Sequence, residues 1–173
     1  QRICITRGLT YAKDEDRIMI SDIDEIPNPN KIKEATESNG PVVFNMRLFY
    51  YFINCMSTKR SWNGTVMVPF KGMSSPQELR NIKRRFPKIR DGGWHYTYMG
   101  GLERIRLKLN NLNDAFTRID QVGTDEDILR KMNTQKDLWD ENQAHLLIDI
   151  DDDNYAPKCI RKFIEKYPGF HFK

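Results

Sequence analysis

The chain has 173 residues, of which 39% are hydrophobic and 30% are charged. This length and balance suit one globular domain with a buried core and exclude an intrinsically disordered protein. The net charge of +4 is modest, and because no RNA- or DNA-binding motif is visible we expect no nucleic acid partner. No apolar run approaches the roughly 20 residues that would span a bilayer, so we expect no membrane-spanning segment in the chain.

Hydrophobic patterning predicts short strands that alternate with helices. The predicted elements are, in chain order, the end of a helix within residues 2–13, a strand at 17–20, a helix from 30 to 38 capped by Asn30, strands at 42–46 and 64–70, a basic helix at 75–85, a glycine- and aromatic-rich loop at 91–101, helices at 102–112 and 124–132, a strand at 146–150, and a helix from 157 to 166. Pro27 and Pro29 are expected to stop regular structure after the first strand. Such alternation favours an α/β layered fold, although it does not determine the order of the strands.

An acidic pair, Asp22 and Asp24, directly follows the first predicted strand. Alternate residues on an extended backbone point to the same side, so both carboxylates are expected to face one site. Ligands of open α/β sheets collect at the carboxyl ends of strands. Two carboxylates suit Mg²⁺ or Mn²⁺, which keeps positions open for phosphate oxygens. The alternative is that one of the aspartates only caps a turn before Pro27.

Several segments in a fixed order resemble a known family. They are residues 1–9, the stretch Ser21-Asp22-Ile23-Asp24-Glu25-Ile26-Pro27, the aromatic block at 49–51 with Asn54 and 62–64, the glycine-tryptophan-histidine segment at 92–101, and the tail at 148–166. Together they resemble glycosyltransferase family 17, whose best-known members add the bisecting N-acetylglucosamine to N-glycans.

The resemblance implies a GT-A-like, Rossmann-like mixed sheet flanked by helices. It also implies an inverting transfer of a sugar, such as N-acetylglucosamine, from a UDP-sugar donor to a hydroxyl of a glycan acceptor, with Mn²⁺ or Mg²⁺ as cofactor. Residues 1–173 would form a single catalytic domain. Relatives carry further strand-helix units upstream, so the chain is expected to be a fragment that lacks its N-terminal part.

The motifs also nominate individual site residues. His95 would join Asp22 and Asp24 as a metal ligand or contact the diphosphate, although a structural histidine beside a tryptophan is common. The paired glycines would let the backbone approach a ligand, and aromatic faces would stack on sugar rings. The expected donor- and acceptor-binding residues are Arg2, Arg7, Tyr50, Asn54, Trp62, Gly92, Gly93, Trp94 and His95. Core packing for Tyr50 and a solvated helix face for the two arginines are the alternatives.

Inversion at the anomeric carbon requires a base that accepts the proton of the attacking hydroxyl. Asp91 and Glu103 flank the glycine loop and are the two candidates, with Asp91 preferred because it adjoins the loop. Each could equally be a surface carboxylate.

Two other classes of protein compete with a transferase. A haloacid-dehalogenase-like phosphatase also begins with a strand that ends in two aspartates, but Glu25 follows Asp24 where that class prefers a small residue. A carbohydrate- or nucleotide-binding module without catalysis is the other.

Cys4, Cys55 and Cys159 are too widely spaced to form a metal pair and indicate free thiols. We therefore expect a cytoplasmic, bacterial or viral setting, or the Golgi lumen for a fragment of a eukaryotic protein.

Overall fold

Seven strands form one mixed sheet in the described part of this computed structural model, which covers residues 2–111, 119–152 and 155–173. The strands are β1 (Arg17–Ile20), β2 (Glu25–Pro27), β3 (Val42–Tyr50), β4 (Cys55–Pro69), β5 (Lys88–Ile89), β6 (Gly93–Thr97) and β7 (His145–Leu147). The α-helices are α1 (Ile32–Thr36), α2 (Pro76–Ile82), α3 (Gly101–Asn111), α4 (Ile119–Val122), α5 (Asp125–Asn133) and α6 (Ile160–Lys166). Short 3-10 helices cover Arg2–Leu9, Pro29–Lys31, Lys83–Arg85 and Pro168–Phe170.

The sheet has the strand order β1-β4-β3-β6-β2, with β5 paired to β3 and β7 paired to β4. The pairs β1–β4, β2–β6 and β4–β7 are antiparallel, whereas β3 and β5 run parallel. The predicted α/β class is therefore confirmed at the level of a mixed sheet with helices. Strand order depends on long-range pairing, which local sequence patterns do not encode.

The chain divides into two compact units, each built from two separate segments. Unit 1 consists of Gln1–Arg47 and Ser61–His95, and unit 2 consists of Leu48–Arg60 and Tyr96–Lys173. The unit boundaries fall inside strands β3, β4 and β6. That residues 1–173 form a single catalytic domain stays a prediction.

Unit 1 has a hydrophobic cluster on each face of β3. Val42, Phe44 and Met46 join one cluster, which also contains Ala35 of α1. Val43 joins the other, which contains Leu79 of α2. Successive side chains of a strand point to opposite faces, and a strand covered on both faces is continuously apolar. The run Val42-Val43-Phe44 therefore forms a central strand.

In unit 2, a smaller cluster contains Ile53, Ala156 and Ile160, with Ile164 and Phe170 packed against it. Helices α3 and α5 each turn fully buried residues inward, namely Ile105 and Leu109 from α3 and Ile128 from α5. No helix in the described part of the chain is long and apolar enough to cross a membrane.

Several predicted elements are confirmed where the signal is local. β1 has the predicted bounds. Helices α2 and α5 begin close to their predicted starts: the Ser75 Oγ accepts a hydrogen bond from the Glu78 backbone at α2, and Thr124 and Asp127 form a capping box at α5. Helix α3, predicted over 102–112, spans Gly101–Asn111, and residue 112 lies outside the described residues. All three cysteines are free.

Other element predictions were wrong. Asn28, and not Asn30, caps the first helical turn, since its side chain accepts from the Asn30 backbone. The predicted loop contains β6, and β2 ends in Pro27 where regular structure was expected to have stopped. Proline is tolerated at such a position because it need not donate a ladder hydrogen bond. Strands β3 and β4 are longer than predicted, and β7 and α6 are shorter.

Candidate functional site

The acidic pair lies in a tight turn between β1 and β2. The Glu25 backbone N–H donates to the Asp22 carbonyl at 3.1 Å, which closes a four-residue turn. Ile23 stands fully exposed between the two aspartates. The prediction that the pair alternates along an extended strand was therefore wrong, and the alternative of a turn before Pro27 is confirmed for the backbone.

Each aspartate of this turn has a different partner. Asp22 forms an ion pair with Arg80 of α2, through Oδ2 and one guanidinium nitrogen. Asp24 lies beside His95 of β6, with 3.5 Å between its Oδ1 and the histidine Nδ1. The structure thus places Asp24 beside His95 and pairs Asp22 with an arginine that was not predicted.

Glu25 occupies the centre of the cluster with a fully buried side chain. Its Oε1 accepts a 2.7 Å hydrogen bond from the Trp62 indole, and its Oε2 accepts one of 3.1 Å from the Asp22 backbone N–H. Burial raises the pKa of the Glu25 carboxyl above its ordinary value, whereas the Trp62 and Asp22 hydrogen bonds and the charge of Lys83 act in the opposite direction. Glu25 therefore orders the turn from inside the protein.

Two cations of one helical face approach this carboxylate. Arg80 and Lys83 are three residues apart, and each places a nitrogen 3.9 Å from Glu25 Oε1. Lys83 is nearly buried, donates to the Gly64 carbonyl at 3.3 Å and lies 5.0 Å from the centre of the Trp62 ring. Burial of a lysine is costly unless its charge is paired, so these contacts explain its position.

Trp62 connects the buried and the exposed parts of the cluster. Its ring stacks on His95 with 4.6 Å between centroids and 10° between planes. The β2–β6 register places Glu25 directly opposite His95, so the two side chains share one face of the sheet. Trp62 was predicted to bind an acceptor sugar; in this structure its indole contacts Glu25 and His95.

Gly92 and Gly93 are required by packing within unit 1. A Cβ at Gly92 would lie 2.8 Å from Phe44, and one at Gly93 would overlap the Ile26 carbonyl. The close approach predicted for these glycines is made by the protein's own backbone. Trp94 is buried beside them at 6% exposure. A ligand-binding role for these residues stays a prediction.

The two candidate bases lie in different units. Asp91 is exposed, has a left-handed backbone with φ of 51°, and forms a 3.0 Å ion pair with Arg47. Glu103 is exposed in the first turn of α3. Arg7 is exposed in the first 3-10 helix, and the side chain of Arg2 lies outside the described residues.

Tyr50 and Asn54 are buried in unit 2. The Asn54 side chain donates to the Phe172 carbonyl and accepts from the Phe172 N–H, both at 3.0 Å. Tyr50 stacks on His145 with 4.5 Å between centroids. Both residues have structural contacts here, as the core-packing alternative expected for Tyr50.

A second polar cluster in unit 2 was not predicted. Asp137 is fully buried, and its Oδ1 accepts hydrogen bonds from the Trp139 and Asp140 backbones at 2.9 and 3.1 Å. Its Oδ2 lies 3.9 Å from Arg60 and 3.9 Å from Nε2 of His145. The one sequence signal for His145 is the rarity of histidine, since the whole sequence contains three.

The donor set at the acidic turn suits a hard divalent ion. Adjacent ligands of an octahedral ion lie about 3 Å apart, close to the separation of the Asp24 and His95 atoms. Mg²⁺ commonly takes one or two carboxylates and completes its shell with phosphate oxygens and water. Among the described residues no group of three or more His, Cys, Asp or Glu side chains is arranged to hold a metal by itself. The protein side chains therefore supply only part of a metal site, and phosphate oxygens of a substrate would supply further ligands.

Comparisons of the chain with protein-family models, with curated proteins and with solved structures found no match. The functional assignment therefore depends on the chemistry of the site.

Proposed function

We propose that the chain is the catalytic domain of a metal-dependent glycosyltransferase with a GT-A-like fold. It transfers a sugar, such as N-acetylglucosamine, from a UDP-sugar to a glycan hydroxyl. The observation that carries the proposal is the 3.5 Å separation of Asp24 and His95 on a turn whose other aspartate, Asp22, pairs with the cation Arg80. Carboxylates for a metal and cations for phosphate are the groups that a nucleotide diphosphate requires.

Asp24 and His95 would hold Mn²⁺ or Mg²⁺, and Asp22 would add a second carboxylate. When bound, the ion supplies charge that neutralises the diphosphate leaving group. Glu25 keeps the turn in place through its hydrogen bond from the Asp22 backbone. Fixed positions of these groups lower the reorganisation that the transfer requires.

Asp91 is the proposed base that accepts the proton of the acceptor hydroxyl. Its ion pair with Arg47 is exposed, with 64% of the Asp91 side chain accessible. Exposed pairs of this kind are weak, so an acceptor hydroxyl could compete for the carboxylate. Glu103 is the other candidate, and the activities of Asp91→Asn and Glu103→Gln would separate them.

The test of the proposal is calorimetric titration of UDP-N-acetylglucosamine with and without Mn²⁺. Asp24→Asn should weaken the Mn²⁺-dependent binding on the order of 100-fold, because even the loss of groups that only support metal ligands costs 10- to 100-fold. Asp14→Asn is the matched control, since Asp14 is exposed and pairs only loosely with Lys71. Its affinity should equal that of the unchanged chain.

The same samples discriminate between the classes of protein. Sugar transfer or donor hydrolysis supports the transferase, whereas Mn²⁺-dependent UDP binding without either reaction indicates a binding module. Phosphate release from a generic phosphomonoester indicates a phosphatase. Equal affinities of the Asp24→Asn variant and the unchanged chain would refute the assignment of the metal site.

A further inference from the structure

The ion pair between Arg80 and Asp22 places a cation on one of the proposed metal ligands. Both side chains are partly accessible, at 21% and 30%. Arg80 extends from α2, which is anchored by its Ser75 cap and by buried Leu79. The end of the guanidinium can therefore move while the helix stays fixed.

Arg80 differs from its neighbour Lys83 in this respect. Lys83 is held by the Gly64 carbonyl and the Trp62 face, and its side chain is only 10% accessible. A guanidinium also presents several donors in a planar fork that matches phosphate oxygens. Arg80 is thus the cation of the cluster that can exchange one anionic partner for another.

We propose that Arg80 is a diphosphate-binding residue that exchanges between two partners. Without substrate, Arg80 neutralises Asp22. When the metal and the nucleotide diphosphate bind, Arg80 breaks its ion pair with Asp22 and contacts a phosphate oxygen instead. This inference deepens the proposed function and rests on it for the identity of the ligand. The exchange keeps Asp22 neutralised before the metal arrives, since two nearby carboxylates without a cation repel each other.

The exchange predicts two effects of opposite sign when the positive charge is removed. Asp22 loses its competitor, so a divalent ion binds more tightly in the absence of nucleotide. The diphosphate loses a charged donor, so the nucleotide binds more weakly in the absence of metal. A residue that only stabilises the turn would not move these two affinities in opposite directions.

The experiment uses Arg80→Gln and two separate titrations. Mn²⁺ is titrated into the chain without nucleotide, and UDP is titrated in the presence of a chelator. We expect the Mn²⁺ affinity to rise severalfold and the UDP affinity to fall about tenfold, the scale expected for one charge-assisted hydrogen bond. Arg84→Gln is the matched control, because Arg84 is exposed in the adjoining 3-10 helix and carries the same charge. It should change neither affinity.

Arg80→Lys tests the same idea if the glutamine variant does not fold. It keeps the charge beside Asp22 but lacks the planar fork, so Mn²⁺ affinity should stay near that of the unchanged chain while UDP affinity falls. Unchanged UDP affinity in the variants, or Mn²⁺ affinity that falls in Arg80→Gln, would overturn the inference. Failure of the glycosyltransferase proposal is distinguishable, since it would appear as absent transfer and as Mn²⁺-dependent donor binding insensitive to Asp24→Asn.

Discussion

Single buried side chains determine the chemistry of both polar clusters. In unit 1, Glu25 accepts from the Trp62 indole at 2.7 Å and from the Asp22 backbone at 3.1 Å. Both hydrogen bonds lower the Glu25 pKa, while burial raises it. Burial, the largest effect, raises the pKa of the Glu25 carboxyl, and the two donors oppose that rise by stabilising the ionised form.

Trp62→Phe tests this balance, because it removes the indole donor but keeps an aromatic ring against His95. We expect a loss of about 1.5–3 kcal/mol in the free energy of unfolding at neutral pH, the cost of losing a hydrogen bond to a charged group. The loss should shrink as the pH falls and Glu25 becomes protonated in both proteins, because a neutral acceptor gains less from the donor. Urea unfolding at several pH values measures it, and a loss that is independent of pH would contradict the assignment to Glu25.

In unit 2, His145 is buried between groups of opposite charge. Neither ring nitrogen has a hydrogen-bond partner among the described residues. Burial lowers the pKa of His145, the Asp137 carboxylate raises it and the Arg60 guanidinium lowers it further. Tyr50 and Tyr51 cover the ring, and burial raises the pKa of both hydroxyls, so they stay neutral.

This lowered pKa predicts that the protein loses stability in mild acid. The unfolded chain binds more protons at His145 than the folded chain when the pH falls below the ordinary value of 6.5, so stability present above that value is lost as the pH falls. The slope from one histidine is at most about 1.4 kcal/mol per pH unit. His145→Phe should flatten this dependence in urea titrations, whereas the control His171→Phe should keep it. Equal slopes in all three proteins would contradict the prediction.

At the scale of elements, the pairing of β2 with β6 holds the acidic turn against His95. The register pairs Pro27 with Gly93, and the Gly93 backbone has φ of 143°. A side chain at this position would overlap the Ile26 carbonyl. The glycine is therefore required by the contact between the two strands.

Gly93→Ala should destabilise the protein by at least ~2 kcal/mol, because it combines a steric overlap with an unfavourable backbone conformation. Gly8→Ala is the control, since no atom lies within 4 Å of the position of its added Cβ. Thermal unfolding of both variants measures the difference. Similar melting temperatures for the two would show that the strand pairing tolerates a side chain at residue 93.

At the scale of the whole molecule, neither compact unit is one continuous segment. The unit boundaries fall at 47/48, 60/61 and 95/96, each inside a strand. If one unit unfolded alone, each of these strands would lose the part that belongs to that unit, and the part left in the other unit would lose some of its backbone hydrogen bonds. We therefore expect the units to unfold in one cooperative transition.

Two exposed cysteines allow this prediction to be tested. Cys4 belongs to unit 1 and Cys159 to unit 2. Cys55 is buried, and burial raises the pKa of its thiol to about 12, so it should not react with a dye in the folded protein. A dye on Cys4 in a Cys159→Ser chain, or on Cys159 in a Cys4→Ser chain, should report the same urea midpoint as circular dichroism. Separate midpoints would show that the units unfold independently.

The sequence alone determined the features that depend on neighbouring residues. The bounds of β1 and the position of helix α5 depend on side chains within a few positions of each other, so they were predicted closely. The proximity of Asp24 and His95 agrees with what the resemblance of ordered motifs implied, whereas a metal site formed by Asp22, Asp24 and His95 stays a prediction. The geometry assumed for the two aspartates was wrong because an i to i+3 turn replaced the extended backbone.

Only the tertiary structure decided which distant residues reach the acidic turn. Arg80, Lys83 and Trp62 contact Asp22 or Glu25 across 37 or more positions, because the burial of Leu79 places α2 on the core of unit 1 and the pairing of β2 with β6 presents His95. No short-range pattern encodes such contacts, since they follow from the joint burial of apolar faces that are remote in the chain. Tertiary pairing also completed the second cluster: Asp137 and His145 meet across the local bridge between Lys136 and Ala144, and the pairing of β7 with β4 brings the segment that carries Arg60 beside them.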